Sequence, residues 1–147
     1  MDGKNSIIPG CGYHHVAIRA ADFDGTLRFY TEGLGFRVAV RRGQRGTSAG
    51  GDGRAALLDT GDGNYMEVFA GGKRAPGEPA PEGAILHYAL RTTDCDAAIE
   101  RARAAGATVT VEPKTLDLDS QPKISIRIAF CKGPDGELIE FFQNDQT

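Results

Sequence analysis

The sequence predicts an α+β fold built from two tandem βαβββ modules. Three observations predict it. "HVAIRAAD" at 15–22 returns as "HYALRTTD" at 87–94, with His, Ala, Arg and Asp in the same places. "DGNYMEVF" at 62–69 returns as "DGELIEFF" at 135–142, keeping Asp-Gly, a Glu and a final Phe. The offsets nearly agree, 72 positions between His15 and His87 and 73 between Glu67 and Glu140, which marks a duplicated unit of about 60 residues.

Each element follows from local pattern. Residues 14–20 alternate as a strand does. Asp22 or Asp24 caps a helix running to about residue 33, with Phe23, Leu27 and Tyr30 on one face and Gly35 ending it. Strands follow at 36–41, 54–60 and 64–70, the last two joined by the turn "GDG" at 61–63. In the second copy, 84–92 is a strand and 94–105 a helix ending at Gly106. Strands follow at 108–112, 123–130 and 137–142, with "GPDG" at 133–136 supplying turn chemistry. Module 1 therefore spans 13–70, a Pro/Gly-rich linker 71–83 and module 2 84–143, within a single domain over 1–147.

Composition excludes several classes of function. A net charge of −3, with no basic cluster among aromatics, argues against a nucleic-acid partner. No apolar stretch is long enough to span a bilayer or act as a signal peptide. Cys11, Cys95 and Cys131 form no CxxC pair and are expected as free thiols in a reducing cytoplasm.

Strand alternation sorts the side chains. His15, Ala17 and Arg19 share a face opposite Val16 and Ile18, and His87, Ala89 and Arg91 share a face opposite Tyr88 and Leu90. Tyr65, Glu67 and Phe69 oppose Met66 and Val68, while Leu138, Glu140 and Phe142 oppose Ile139 and Phe141. The helices must cover the apolar sides, so His15, Glu67, His87 and Glu140 occupy the other. His14 and Tyr88, on the opposite parity, are expected to pack. Burying two carboxylates together is costly unless a cation lies between them. Two imidazoles and two carboxylates make an N/O ligand set for one divalent metal ion, with Ni, Zn, Co, Mn and Fe all open. The structural alternative is a buried His–Glu hydrogen-bond network.

At these residues the chain resembles the vicinal oxygen chelate superfamily, the glyoxalase/bleomycin resistance/dioxygenase fold. "HVAI", "FYTEGLGF", "HYALRTTD" and "GPDGELIEF" carry the resemblance, which runs from about Tyr13 to Gln143. It implies curved mixed sheets around a metal-binding cavity. The set His15, Glu67, His87 and Glu140 is similar to that of the glyoxalase I (lactoylglutathione lyase) branch. That likeness implies a metal-dependent lyase or isomerase acting on a hemithioacetal or related α-hydroxycarbonyl through an enediolate. Glu140, or Glu67, would move the proton. Arg19 matches an arginine that holds the thiol moiety in that branch, and Arg91, Tyr65 and Phe69 share the ligand faces as candidate substrate contacts. One departure stands out: the branch has an Asn shortly after its first Glu ligand, where this chain has Gly71. The resemblance also implies a small-molecule substrate, a thiol adduct among the candidates. Two further classes stay open, an Fe(II) extradiol-type dioxygenase on His15, His87 and Glu140, and a non-catalytic small-molecule binding or resistance protein. Exposed sheet edges and the habit of the family imply a homodimer.

Two loops complete the chain. "RRGQRGTSAGGDGR" at 41–54 lacks the Gly-Lys-Ser/Thr ending of a phosphate loop and is expected as a rim or lid. "EPKTLDLDSQPK" at 112–123 is expected as the matching second-copy loop.

Overall fold

The computed structural model describes residues 7, 10–43, 52–75, 78–81 and 83–145. The middle of the expected rim, residues 44–51, lies outside the described residues. The first unit contains β1 (His15–Arg19), α1 (Phe23–Arg28), β2 (Arg37–Arg42), β3 (Ala55–Asp59) and β4 (Tyr65–Phe69). The second contains β5 (Tyr88–Arg91), α2 (Cys95–Ala104), β6 (Thr108–Leu118), β7 (Ile124–Lys132) and β8 (Leu138–Gln143). Each unit forms a four-stranded mixed sheet, ordered β1-β4-β3-β2 and β5-β8-β7-β6. The first strand of each runs parallel to the last, and the other pairings are antiparallel. The βαβββ duplication is thus present as two equivalent sheets.

The helices start where their caps dictate. The Asp22 carboxylate accepts from the Gly25 amide at 3.0 Å, and Asp94 accepts from Ala97 at 2.9 Å. After α1, residues Phe29–Gly33 widen into a π-turn in which the Leu34 amide donates to the Phe29 carbonyl at 3.1 Å. The wider turn lets both Phe29 and Tyr30 face inward. Gly35 and Gly106 then take positive φ, 81° and 101°, and lead the chain into the next strand.

One apolar core serves both sheets. Phe23, Leu27, Tyr30, Leu58, Met66 and Val68 from the first unit join Cys95, Ile99, Ala129, Cys131, Ile139 and Phe141 from the second. A polar seam crosses the junction. The buried Asp135 carboxylate accepts from the Ala21 amide at 2.8 Å and from the Thr26 hydroxyl at 2.6 Å. The Tyr30 hydroxyl bonds both the Tyr88 hydroxyl and the Glu137 carboxylate. Burial holds the Tyr30 and Tyr88 hydroxyls well above the ordinary tyrosine range and raises the Glu137 carboxyl above the usual carboxylate range. Tyr88 therefore packs as expected, at the junction of the two units.

Three local expectations need correction. Residues 84–87 lie outside β5, and Ile85 and Leu86 are exposed because no neighbouring strand pairs with them. Residues 112–118 are not loop but the second half of β6, paired with β7 as far as Leu118↔Ile124. Pro113, which has no amide to donate, falls where the register shifts between Val111 and Lys114. His14 is not a core residue. It is exposed and stacks on Tyr65, with ring centroids 5.1 Å apart.

Candidate metal centre

Strand alternation places the predicted ligands. Along β1 and β4, the side chains of Val16, Ile18, Met66 and Val68 turn to the core, so His15, Arg19, Tyr65, Glu67 and Phe69 turn to the open face. The second sheet repeats this with His87, Ala89 and Arg91 beside Glu140 and Phe142. His87 precedes β5 by one residue yet keeps the parity of that strand.

The structure brings the ligands together in pairs. His15 Nε2 lies 3.6 Å from Glu67 Oε2, and His87 Nε2 lies 3.0 Å from Glu140 Oε2. Two donors sharing one metal at about 2.0–2.2 Å stand roughly 2.8–3.6 Å apart for bond angles near 90–110°. Each pair therefore has the spacing and the N/O chemistry of half a divalent site. Among the described residues, no three His, Cys, Asp or Glu side chains converge within the chain. His15–Glu67 and His87–Glu140 are two separate His–Glu pairs, one on each sheet.

The surroundings of the halves differ. Glu67 is held through Oε1 by the Arg42 guanidinium, which leaves Oε2 toward His15. The Arg42 and Arg19 guanidiniums lie 5.2 and 5.6 Å from the centre of the Phe69 ring, and Arg19 Nη1 also donates to the Ala70 carbonyl at 3.0 Å. In the second half, the ring of Phe130 meets His87 edge-on at 5.4 Å, and Glu140 is only 8% exposed. Arg91 is exposed and lines a cleft of about 670 Å³ that also includes Tyr13, Tyr65 and Tyr88. Neither this cleft nor a second of similar volume, lined by Arg28, Arg74 and Arg101, includes His15, Glu67, His87 or Glu140.

Sequence reasoning missed Arg42. Plain alternation from Arg37 puts Arg41, not Arg42, on its face. A β-bulge between Val38 and Val40 shifts the register, so Val40 faces Leu57 and Arg42 faces Ala55. Ala55 in turn faces Phe69, and Arg42 so joins the open face. No residue pattern in "FRVAVRR" announces that bulge.

The model of the glyoxalase/bleomycin resistance protein/dioxygenase superfamily matches residues 12–141. The chain belongs to this superfamily. Its similarity to other superfamily members is moderate. It is 31% identical to a probable lactoylglutathione lyase of Vibrio cholerae, with 90% of this chain and 91% of the relative covered. It is 32% identical to the uncharacterized protein YwbC of Bacillus subtilis, covering 88% and 94%. A putative lactoylglutathione lyase of Brassica oleracea is 27% identical, and there the chain spans only 44% of the relative's length. Among solved structures, a glyoxalase I mutant from Zea mays superposes with a TM-score of 0.68 at 24% identity, covering 91% of this chain and 45% of the other. TioX from Micromonospora superposes at 0.62 and 22% identity, covering 90% and 98%. At such identities the superpositions show the fold.

Proposed function

We propose that two copies of this chain pair so that His15 and Glu67 of one and His87 and Glu140 of the other surround one divalent metal ion. The assembled site would be a glyoxalase I-like lyase/isomerase acting on a hemithioacetal or related α-hydroxycarbonyl. The observation that carries this reading is the pair of half-sites: equivalent positions, matching donors, and each incomplete alone. Two features support pairing. β1, which carries His15, and β5, which His87 directly precedes, are each a sheet edge among the described residues. Large apolar side chains, Tyr13, Ile85 and Leu86, stand exposed beside those strands.

When bound, the metal supplies Lewis-acid polarisation of the substrate oxygens. The chain's own residues do the rest. Glu140, only 8% exposed and paired with no Lys or Arg among the described residues, takes the proton from the carbon next to the carbonyl and returns it to the neighbouring carbon. Glu67, tethered through one oxygen by Arg42, stays in place as a ligand. Arg19, Arg91, Tyr65 and Phe69 line the approach.

Subunit complementation tests the arrangement. His15→Ala and His87→Ala should each lose bound metal and hemithioacetal turnover, while His14→Ala keeps both. A mixture of the two inactive variants, unfolded and refolded together, should regain about a quarter of wild-type metal content and turnover, because half the dimers then carry one intact site of two. If the mixture stays inactive while the wild type binds metal, the shared site is wrong. If the wild type holds metal and turns over no hemithioacetal, the lyase assignment fails and the metal centre stands.

A further inference from the structure

We propose that the cleft lined by Arg28, Arg74 and Arg101, between α1, α2 and the turn before β8, is a second ligand site. It takes a small organic molecule bearing two or more oxyanion groups, phosphates or carboxylates. The cleft is built within one chain and includes none of His15, Glu67, His87 and Glu140, so it does not depend on the metal-centred reading.

The three guanidiniums come from three segments that the fold brings together. Arg28 closes α1, Arg74 lies in the linker after the first sheet, and Arg101 stands on α2. Backbone groups hold two of them in place. Arg74 Nη1 donates to the Asp135 carbonyl, and Gly136 makes room for it, since a Cβ there would stand 2.8 Å from that nitrogen. Arg101 Nη2 donates to the Gly33 carbonyl at 3.3 Å. Gly33 lets α2 come this close, since a Cβ there would stand 2.5 Å from that of Ala105. A carbonyl orients a guanidinium without neutralising it. None of the three forms an ion pair among the described residues, whereas Arg37, Arg42, Arg54, Arg103 and Arg127 each do.

Three carboxylates, Asp22, Glu32 and Asp135, line the same cleft, so its formal charge balances and its open donors decide what it binds. Two of these carboxylates are already engaged. Asp135 accepts from the Ala21 amide and the Thr26 hydroxyl through its two oxygens, and Asp22 accepts from the Gly25 amide. Only the exposed Glu32 is left as an open acceptor. Each guanidinium carries several N–H donors in a fork that matches an oxyanion, so open donors outnumber open acceptors. The volume of about 670 Å³ suits an organic molecule better than a single ion, small-molecule sites spanning roughly 300–1,000 Å³. Arginines from separate segments call for oxyanion groups at more than one point of the ligand.

The full-length chain, stripped of metal and then freed of chelator, would be titrated with pyrophosphate, citrate and inorganic phosphate at constant ionic strength, following the arginine Nε–Hε signals by NMR. Arg28, Arg74 and Arg101 should shift together and saturate, with pyrophosphate winning for a phosphorylated ligand and citrate for a polycarboxylic one. Inorganic phosphate should bind about tenfold or more weakly than the better probe. If it binds as tightly, the cleft holds a single ion and the proposal fails. Arg28→Gln, on an exposed side chain, and Arg74→Ala should each weaken binding about tenfold or more, and Glu32→Gln should strengthen it. Arg103→Gln, which removes the same charge from α2 outside the cleft, should leave binding unchanged. No saturable shift with either probe, or equal losses in Arg28→Gln and Arg103→Gln, overturns the site.

Discussion

The two open faces share one geometry and differ in their neighbours. In both, a histidine beside the first strand and a glutamate on the last stand within 3.0–3.6 Å of each other. In the first sheet the glutamate is shared with an arginine, and the adjacent ring is flanked by two guanidiniums. In the second, the histidine meets the edge of Phe130, with Ile128 along the same strand. Duplication copied the backbone register, and the register alone sets which residues can pair. Side chains one row away were free to diverge: two guanidiniums gather on the Phe69 ring in the first sheet, while in the second the ring of Phe130 meets His87 edge-on.

The strongest test of this comparison lies on the buried faces. Met66 and Ile139 occupy equivalent positions behind Glu67 and Glu140, and they are 1% and 0% exposed. Met66→Ala and Ile139→Ala should each cost about 2–5 kcal/mol. Because the core is continuous, both should shift a single unfolding transition in urea. Two separate transitions, each sensitive to one variant, would show that the modules are independent units rather than halves of one domain.

A smaller effect is expected where the repeat diverges beside the first ligand. Gly71 aligns with Asn144 of the second module, and its φ is 83°. Asn is the side chain that best tolerates that backbone region. Gly71→Asn should therefore fold and should raise kcat/KM for the glutathione–methylglyoxal hemithioacetal about tenfold by adding one amide contact. Efficient wild-type turnover of that substrate, unimproved by the substitution, would show that the missing amide does not matter.

The smallest effect concerns the seam between the units. Asn64 of the first module aligns with Glu137 of the second, and only the latter is ionisable. Burial raises the Glu137 carboxyl above its ordinary value of 4.5. A raised folded-state value means that the contribution of Glu137 is full below the unfolded pKa and is lost as pH rises through the folded one. The Tm of Glu137→Gln relative to wild type should therefore climb as pH is raised from about 4.5 toward neutrality. A difference that does not change with pH would show that the carboxyl is not held in its neutral form by the seam.

The amino-acid sequence by itself determined the duplication, the helix starts at Asp22 and Asp94, the glycine stops, and the face on which each candidate ligand stands. These rest on nearest-neighbour physics, namely caps, turn conformations and the two-residue strand period, all written within a few residues. Only the tertiary structure decided three other things. A bulge opposite Leu57 and Leu58 turned Arg42 rather than Arg41 toward Glu67. Pairing with β7 drew residues 112–118 into β6 in place of a loop. The packing of the two sheets leaves the His15–Glu67 and His87–Glu140 pairs apart among the described residues. Each of these depends on contacts between segments tens of residues apart, where the energy of packing outweighs local preference, and no short stretch of sequence records them.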